Sequence, residues 1–358
     1  MKKASLFISI IIFIISCFIA YDVINRKEEI HFIPTIKEID DGVKSIKFKV
    51  DTFYLAIGES EKLNYDIESS KDDYKLTWSS ENEDIVSISD GKIVGVNLGT
   101  SVVTLKSESG KKAEVSVTVT DLIRKPELDD KKKFLPCHAY TEEEAHIIDE
   151  ALRTRVLNKG EGTRAALIET IRFMTLSFKY KVSYFYENGR MHESGVRKAD
   201  GEGRYYHKGL YLSEDKFKDI KVSHKGPAIW GCPLTNLQDH NRYKPGAKMP
   251  NGLDCSGFVT WSLYNSGLDV GDIGAGINDR HKDMSDVGEM HSLTYEYANS
   301  GDYKVGDVIA RWGHTALIAG KDSEYLYIAE SLLKGVRIEK VSYKNPNSSS
   351  VSYTHLTL

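Results

Sequence analysis

Two side chains in the C-terminal half of the sequence are the strongest candidates for chemistry. Cys255 follows Asp254 and precedes an apolar run at 258–263, a pattern that predicts a helix with Asp254 as its N-cap. A cysteine in the first turn of a helix lies beside free backbone N–H groups and the positive end of the dipole, which favour a thiolate. His314 follows Gly313 at the start of a predicted strand, and we expect it to be the base that activates the thiol. The glycine lets a substrate approach closely.

Other residues near the cysteine and other histidines receive weaker roles. The small Ser256-Gly257 pair is expected to let the helix pack closely, and Ser256 is not expected to be a second nucleophile. A single histidine is more often structural than catalytic, so the case for His314 depends on its pairing with the N-capped cysteine. Five further histidines lie in polar, loop-like contexts and are weaker candidates for the base: His207, His224, His240, His281 and His291.

The bulk composition excludes some classes of protein. A chain of 358 residues is expected to form two or three domains, and 41% apolar residues suffice for real cores. The net charge of −4 gives no reason to expect a nucleic-acid partner. The four cysteines show no C-x-x-C spacing, so we predict neither a metal site nor another cofactor. Cys137 and Cys232 can form a disulfide or remain two small buried thiols, and the composition favours buried thiols.

The N-terminus has the pattern of an export signal. Lys2 and Lys3 precede an uncharged apolar run at 4–21, which is about the length that crosses a bilayer. We predict that 1–24 is an uncleaved signal anchor, which makes the chain a single-pass membrane protein with an extracellular C-terminal part. A lipoprotein modified at Cys17 and a protein secreted into the cell wall are the alternatives. Residues 25–44 are expected to be a spacer.

Residues 45–120 alternate apolar and polar side chains with a period of two, which predicts short strands packed as a small β-sandwich. The runs at 77–82, 88–96 and 115–119, with the Gly-Thr pair at 99–100, resemble a bacterial Ig-like group 2 domain. That resemblance implies a surface module used as a spacer or for weak adhesion.

Helical patterns follow a charged linker at 121–140. Thr141 and Glu144 form a capping box, Gly160 ends the first predicted helix and Thr163 opens a second. Beyond the cysteine helix, alternating runs predict antiparallel strands at 307–310, 313–320, 324–330 and 335–341. A helix that carries a cysteine followed by such strands indicates an α+β arrangement.

Three motifs in this region resemble the NlpC-like family of cell-wall cysteine peptidases. The run DCSGFV at 254–259 matches the family's nucleophile motif, and GD at 306–307 with GHTALIAG at 313–320 matches its histidine motif. The run PAIWGC at 227–232 resembles the segment upstream of the nucleophile. The resemblance implies a papain-like domain with an N-terminal helical extension at 141–346.

The same resemblance implies roles for further residues. The family's third polar residue aligns without gaps with Ala329, and the neighbouring Glu330 is the predicted third catalytic residue, because a carboxylate can orient an imidazole. A substrate-lining tyrosine of the family is replaced by Ala228. The predicted site therefore has Cys255, His314 and Glu330 as catalytic residues, and Asp254, Ser256, Trp230 and Gly313 as substrate-binding residues.

The predicted fold class is a multidomain protein with an N-terminal membrane segment, an all-β Ig-like sandwich and an α+β papain-like cysteine peptidase domain. The predicted function is extracytoplasmic hydrolysis of amide bonds in peptidoglycan stem peptides through a thioester, with peptidoglycan and the membrane as partners. Two alternatives stay open: a weakly active or inactive adhesion or scaffold protein, and an N-acetylmuramoyl amidase or transpeptidase on the same fold. Residues 347–358 resemble the translation of a sequencing-library adapter, so we expect a non-native read-through there and give His355 no role.

Overall fold

The computed structural model describes a long N-terminal part of the chain, 40–185, and a series of C-terminal segments. These segments are 207–208, 211–212, 220–222, 231–236, 244–249, 251–268, 288–292, 302–311, 313–342 and 352–356. Gly42–Leu358 is one compact unit, so the contacts described below lie within a single body.

Nine strands form the first half of the described chain. They are β1 (Val43–Phe48), β2 (Thr52–Leu55), β3 (Ser60–Lys62), β4 (Tyr65–Ser69), β5 (Leu76–Ser80), β6 (Val86–Ser89), β7 (Lys92–Gly95), β8 (Gly99–Ser107) and β9 (Lys112–Val119). A four-stranded sheet has the order β2-β9-β8-β5, with β2 parallel to β9, and a three-stranded sheet has the order β3-β7-β6. Strands β1 and β4 pair separately.

The alternating pattern of the sequence decides which side chains enter the core of this part. Along β9 every second residue is buried, from Ala113 to Val119, because successive side chains of a strand point to opposite faces. Phe53, Leu63, Ile93 and other fully buried apolar residues complete the core between the sheets. A β-sandwich therefore forms where period-two alternation predicted one.

Two helices and a π-helical turn follow. Helix α1 (Glu142–Lys159) starts with the predicted capping box, since the side chain of Thr141 accepts from the Glu144 N–H and Glu144 caps in return. Its C-cap is Gly160. Thr163 caps helix α2 (Arg164–Arg172), which continues into the π-helical turn Phe173–Ser177. The capping box and both helix starts are confirmed.

The rest of the chain consists mainly of strands around one further helix. The short strands are β10 (His207–Lys208), β11 (Tyr211–Leu212), β12 (Ile220–Val222), β13 (Leu234–Asn236) and β14 (Lys248–Met249). Helix α3 is Cys255–Asn265. The remaining strands are β15 (Gly288–Ser292), β16 (Val308–Arg311), β17 (His314–Lys321), β18 (Tyr325–Leu332), β19 (Gly335–Ser342) and β20 (Ser352–Leu356).

A six-stranded antiparallel sheet carries the candidate site. Its strand order is β15-β20-β16-β17-β18-β19. Helix α3 packs on β17 and β18 through a buried core shared with α1 and α2, in which Phe258, Leu317 and Ala329 are fully buried. The shared core thus holds helix α3, which carries the cysteine, against strand β17, which carries the histidine.

The sandwich is fixed to helix α1 by buried polar contacts. The Arg155 guanidinium donates to both carboxylate oxygens of Glu59 at 2.7 and 2.8 Å, and both side chains are almost fully buried. Asn158 accepts from the Asn64 N–H at 2.8 Å and donates to the Lys62 carbonyl at 2.9 Å. The charge-assisted bonds of Arg155 and the neutral bonds of Asn158 together fix the orientation of the sandwich on the helix.

The segment 121–140, predicted as a charged linker, packs against its neighbours. The Arg124 N–H donates to the Ser177 carbonyl, and the Leu135 N–H donates to the Lys181 carbonyl. Cys137 forms a disulfide with Cys232 across a sequence separation of 95 residues. The expectation that these two cysteines are separate buried thiols is wrong, because the chain path brings their Cα atoms to 4.3 Å.

The predicted fold class is also wrong. Within the described residues there are three α-helices, of 18, 9 and 11 residues, against twenty strands, so this part of the chain is mainly β rather than a sandwich followed by an α+β papain-like domain. Period-two alternation in the C-terminal region outweighs the helical pattern that suggested the α+β class.

The predicted single-pass membrane topology is corrected as well. No helix in the described part of the chain is both long enough and apolar enough to cross a bilayer. The predicted anchor at 1–24 itself lies outside the described residues.

Candidate active site

Cys255 is the first residue of helix α3, and its neighbours set the start of that helix. Asp254 is the N-cap: its Oδ1 accepts from the Gly257 N–H at 2.6 Å and from the Ser256 hydroxyl at 3.2 Å. Cys255 is 6% exposed and is the free cysteine among the described residues. The carboxylate closes the first turn, so the thiol is held at the positive end of the helix.

The backbone just before the cysteine is held from two sides. The Leu253 N–H donates to the Ser183 carbonyl at 3.0 Å, and the Leu253 carbonyl accepts from the Ser331 hydroxyl at 2.7 Å. A Cβ on Gly252 would lie 2.0 Å from the Ser183 carbonyl oxygen, so only glycine fits this approach. Because Ser331 lies on β18, these bonds tie the start of α3 to the strand that carries Glu330.

His314 is the first residue of β17, immediately after a tight turn. Gly313 has φ of +74°, which favours glycine, and among the described residues no atom lies within 4 Å of the position that its Cβ would take. The imidazole of His314 bonds Glu330 on one side, and it lies close enough to Cys255 for the sulfur to affect its charge. The turn therefore places a largely buried base near both the thiol and a carboxylate.

Glu330 on β18 binds the far nitrogen of the imidazole. The distance from His314 Nε2 to Glu330 Oε2 is 2.9 Å, and the two side chains are 12% and 9% exposed. Nδ1 of His314 is buried and has no conventional hydrogen-bond partner among the described residues, so it is the nitrogen that remains for the thiol. Ala329, the position that the family motif aligns, is fully buried in the core with α3.

The charges around His314 favour its protonated form. Burial by itself disfavours the imidazolium, but the hydrogen bonds and charges of Cys255 and Glu330 outweigh it and raise the pKa of His314 to about 9. Burial opposes ionisation of Glu330 too, yet the contact with His314 and the charge of Arg337 hold the pKa of that carboxyl below its usual value. His314 and Glu330 are therefore expected to carry opposite charges, which strengthens the bond between them.

Arg337 on β19 lies behind Glu330 and was not among the residues predicted from the sequence. Its Nη2 donates to Glu330 Oε1 at 2.9 Å and also contacts Glu339. A tight hairpin turn at 333–334 makes Glu330 and Arg337 directly opposite partners in the ladder. The sequence could have predicted this contact, since a tight turn fixes which residues of the two strands lie opposite each other.

The remaining predicted site residues divide into three groups. Asp254 and Ser256 lie beside Cys255 but are buried, and their observed hydrogen bonds shape the start of the helix. Gly313 borders the open space next to His314. Trp230, predicted to bind substrate, and the departure at Ala228 lie outside the described residues.

Among the described residues, one group of potential metal ligands lies together. It consists of Cys137, His138 and Cys232, whose ligand atoms lie within 4.8 Å of one another. Both sulfurs are joined in the disulfide and are not available as thiolates, so this arrangement does not present a metal site.

Comparisons with known proteins do not identify a family. No family model matches the chain, and no curated protein matches it. Among solved structures, domains 4 and 5 of the S-layer protein SbsC are 20% identical over 22% of this chain and 52% of that chain, with a TM-score of 0.20. Domains 4–9 of the surface layer protein SbsC are 19% identical over 26% of this chain and 17% of that chain, with a TM-score of 0.21. The chain thus spans about half of the first structure and a smaller part of the second. Likeness at these TM-scores supports no conclusion about fold or function.

Two class assignments made from the sequence are corrected at this point. The described helices contradict the transmembrane class. The solved structures that the chain resembles are surface-layer proteins and not peptidases, so the assignment to the thiol proteases is not supported. A functional proposal has to rest on the geometry around Cys255 and on the sequence motifs.

Proposed function

We propose that the chain is a cysteine-dependent hydrolase that cleaves amide bonds in peptidoglycan stem peptides through a thioester. The observation that carries the proposal is the 2.9 Å bond between His314 Nε2 and Glu330 Oε2, which leaves the buried Nδ1 of His314 without a partner near the N-capped Cys255. A nucleophile, a base and a group that orients the base are the three parts that acyl transfer needs.

The first half of the reaction forms the thioester. The Cys255 sulfur attacks the amide carbonyl, the S–C bond forms, and the oxyanion is stabilised at the start of helix α3. Asp254 already takes the N–H of Gly257, so the N–H of Cys255 is the donor assigned to the oxyanion. The C–N bond then breaks as His314 gives its Nδ1 proton to the leaving amine.

The second half of the reaction releases the acid. Neutral His314 takes a proton from water, whose oxygen attacks the thioester carbonyl. The S–C bond breaks and restores the thiolate–imidazolium pair, and the carboxylic acid that leaves gives its proton to solvent and becomes a carboxylate. Glu330 stays ionised throughout and holds the imidazole so that Nδ1 faces the sulfur, as an orienting carboxylate does in other nucleophilic sites.

The substrate class is supported by the motif resemblance. The runs at 254–259 and 313–320 resemble the nucleophile and histidine motifs of NlpC-like enzymes, which act on wall stem peptides. The described residues leave the space beside Gly313 free within 4 Å of its Cβ position, so it is where we place the approach of an extended peptide to the imidazole. We therefore choose stem peptides over other amide substrates.

The test is digestion of purified peptidoglycan by the full chain, with the released muropeptides identified by mass spectrometry. Cleavage inside the stem peptide is expected from the wild type and not from Cys255→Ala. Lys44→Gln, a change on the exposed surface of the sandwich, is the matched control and should digest as the wild type does. Identical products from wild type and Cys255→Ala would defeat the proposal, and cleavage between sugar and peptide would instead identify an amidase.

A further inference from the structure

A cavity of about 480 Å³ lies behind the candidate active site, between β19 and the segment that precedes helix α1. Arg337, which binds Glu330, is part of its wall. The segment around Lys132 and the π-helical turn at Thr175 form the opposite wall. The proposed catalytic reaction does not use this space.

The lining of the cavity carries more positive than negative side chains. Five basic and three acidic residues line it. The basic residues are Lys132, Lys181, Lys334, Arg337 and Lys340, and the acidic residues are Asp129, Asp130 and Glu339. One charge of each sign is paired with a residue outside the lining, since Arg124 binds Asp129 at 2.8 Å and Glu330 binds Arg337 at 2.9 Å, so the excess of basic side chains remains.

Lys132 is a buried cation in the wall of the cavity. Its ammonium donates to the carbonyls of Thr175 and Phe178, each at 2.9 Å, and to that of Met174 at 3.4 Å. Even with these acceptors, burial is the main reason why the pKa of Lys132 is lowered to about 7; the charges of Arg124 and Lys181 lower it too, and Asp129 raises it. An anion in the cavity would favour the charged form of Lys132.

Arg337 offers a donor that the described residues do not use. Its Nη2 serves Glu330 and Glu339, but its Nε–H is buried without an acceptor. A buried donor without a partner costs free energy, and a guanidinium is well suited to a planar or tetrahedral oxyanion. The unpartnered Nε–H and the positive lining point to the same kind of ligand.

We propose that this cavity binds a small oxyanion, a carboxylate or a phosphate, with Arg337 as the donor shared between the anion and Glu330. The ligand is defined by its charge and its acceptor oxygens, which fit a wall of lysines with one forked guanidinium. Arg337 would contact both the bound anion and Glu330, and Glu330 in turn binds His314. That link to catalysis rests on the proposed function, whereas anion binding itself does not.

The test is calorimetric titration of the full chain at constant ionic strength, without any wall substrate. Inorganic phosphate is the probe in one arm and glutarate in the other, so the tighter ligand identifies a phosphate or a dicarboxylate source. Arg337→Gln is expected to weaken the affinity for the anion about tenfold or more, because it removes one charge-assisted bond. Lys334→Met, at the exposed tip of the hairpin, should weaken it about threefold and leaves the proposed catalytic residues untouched.

Lys44→Gln on the sandwich is the control and should bind as the wild type does. Saturable binding of either ion that both cavity variants weaken supports the site. No saturable binding, or equal binding by wild type and Lys334→Met, overturns it. Because no turnover is measured, failure here leaves the hydrolase proposal standing, and failure of peptidoglycan digestion leaves the anion site standing.

Discussion

Replacing Glu330 by glutamine should change the protonation of His314 more than any other property of the molecule. The substitution keeps the size of the side chain and removes the charge that lies 2.9 Å from Nε2. Since the negative charge of Glu330 helps to raise the pKa of His314 to about 9, its loss must lower that pKa.

The size of the change follows from the geometry. A hydrogen bond to a charged group contributes about 1.5–3 kcal/mol, and one pKa unit corresponds to about 1.4 kcal/mol, so the pKa should fall by roughly one to two units. At pH 8 the imidazolium fraction would then drop about two- to tenfold. The rate of wall hydrolysis, which needs the imidazolium as proton donor, should fall above about pH 9 in the wild type and one to two units lower in Glu330→Gln.

The assay is an NMR titration of the His314 ring in the full chain between about pH 5 and 10. This range covers both the ordinary pKa of an imidazole and the raised pKa of about 9. Glu339→Gln is a close control, because Glu339 contacts the same Arg337 but makes no hydrogen bond to the imidazole in the described structure, and its side chain is 50% exposed. An unchanged His314 midpoint in Glu330→Gln, or an equal change in Glu339→Gln, would refute the reasoning.

Three further changes test the scaffold that positions the site. Reducing the Cys137–Cys232 disulfide, which spans 95 residues, should destabilise the fold by about 2–4 kcal/mol, measured by urea unfolding with and without reductant. Arg155→Met should cost about 3–5 kcal/mol in the same assay, because it leaves the carboxylate of Glu59 buried without its partner. Gly252→Ala should slow alkylation of the active-site thiol by iodoacetamide, since the new Cβ forces the backbone before the cysteine to move.

Each of these changes has a matched control. Reductant should leave the unfolding of a Cys137→Ala/Cys232→Ala double variant unchanged, and a shift there would mean that another group responds. Lys49→Gln removes an exposed ion pair with Asp66 and should cost less than about 1 kcal/mol, so an equal cost for Arg155→Met would contradict the role of burial. Gly110→Ala meets no atom within 4 Å and should leave the alkylation rate as it is.

Local patterns in the sequence predict the elements well where one physical signal decides. The capping box at Thr141, the N-cap at Asp254 and the period-two alternation of the sandwich each depend on neighbours close in the chain. For the same reason, the sequence could place Cys255 at a helix start and His314 at a strand start before the structure was known.

Features that depend on long-range packing were missed or misjudged. The Cys137–Cys232 disulfide and the Arg155–Glu59 bond join positions that are 95 and 96 residues apart, and spacing does not show which of them meet. The overall class was misjudged because a few motifs around one cysteine were extended to a whole domain type. A few residues that form a site do not determine the fold of the domain around them, so the fold has to be inferred from other evidence.

The most direct measurement of the central claim is the rate at which iodoacetamide alkylates Cys255 near neutral pH, compared with a free thiol. A thiolate held by His314 should react faster than the free thiol, and His314→Ala should remove the advantage. A rate no faster than that of the free thiol, or one that His314→Ala leaves unchanged, would contradict the account of this site.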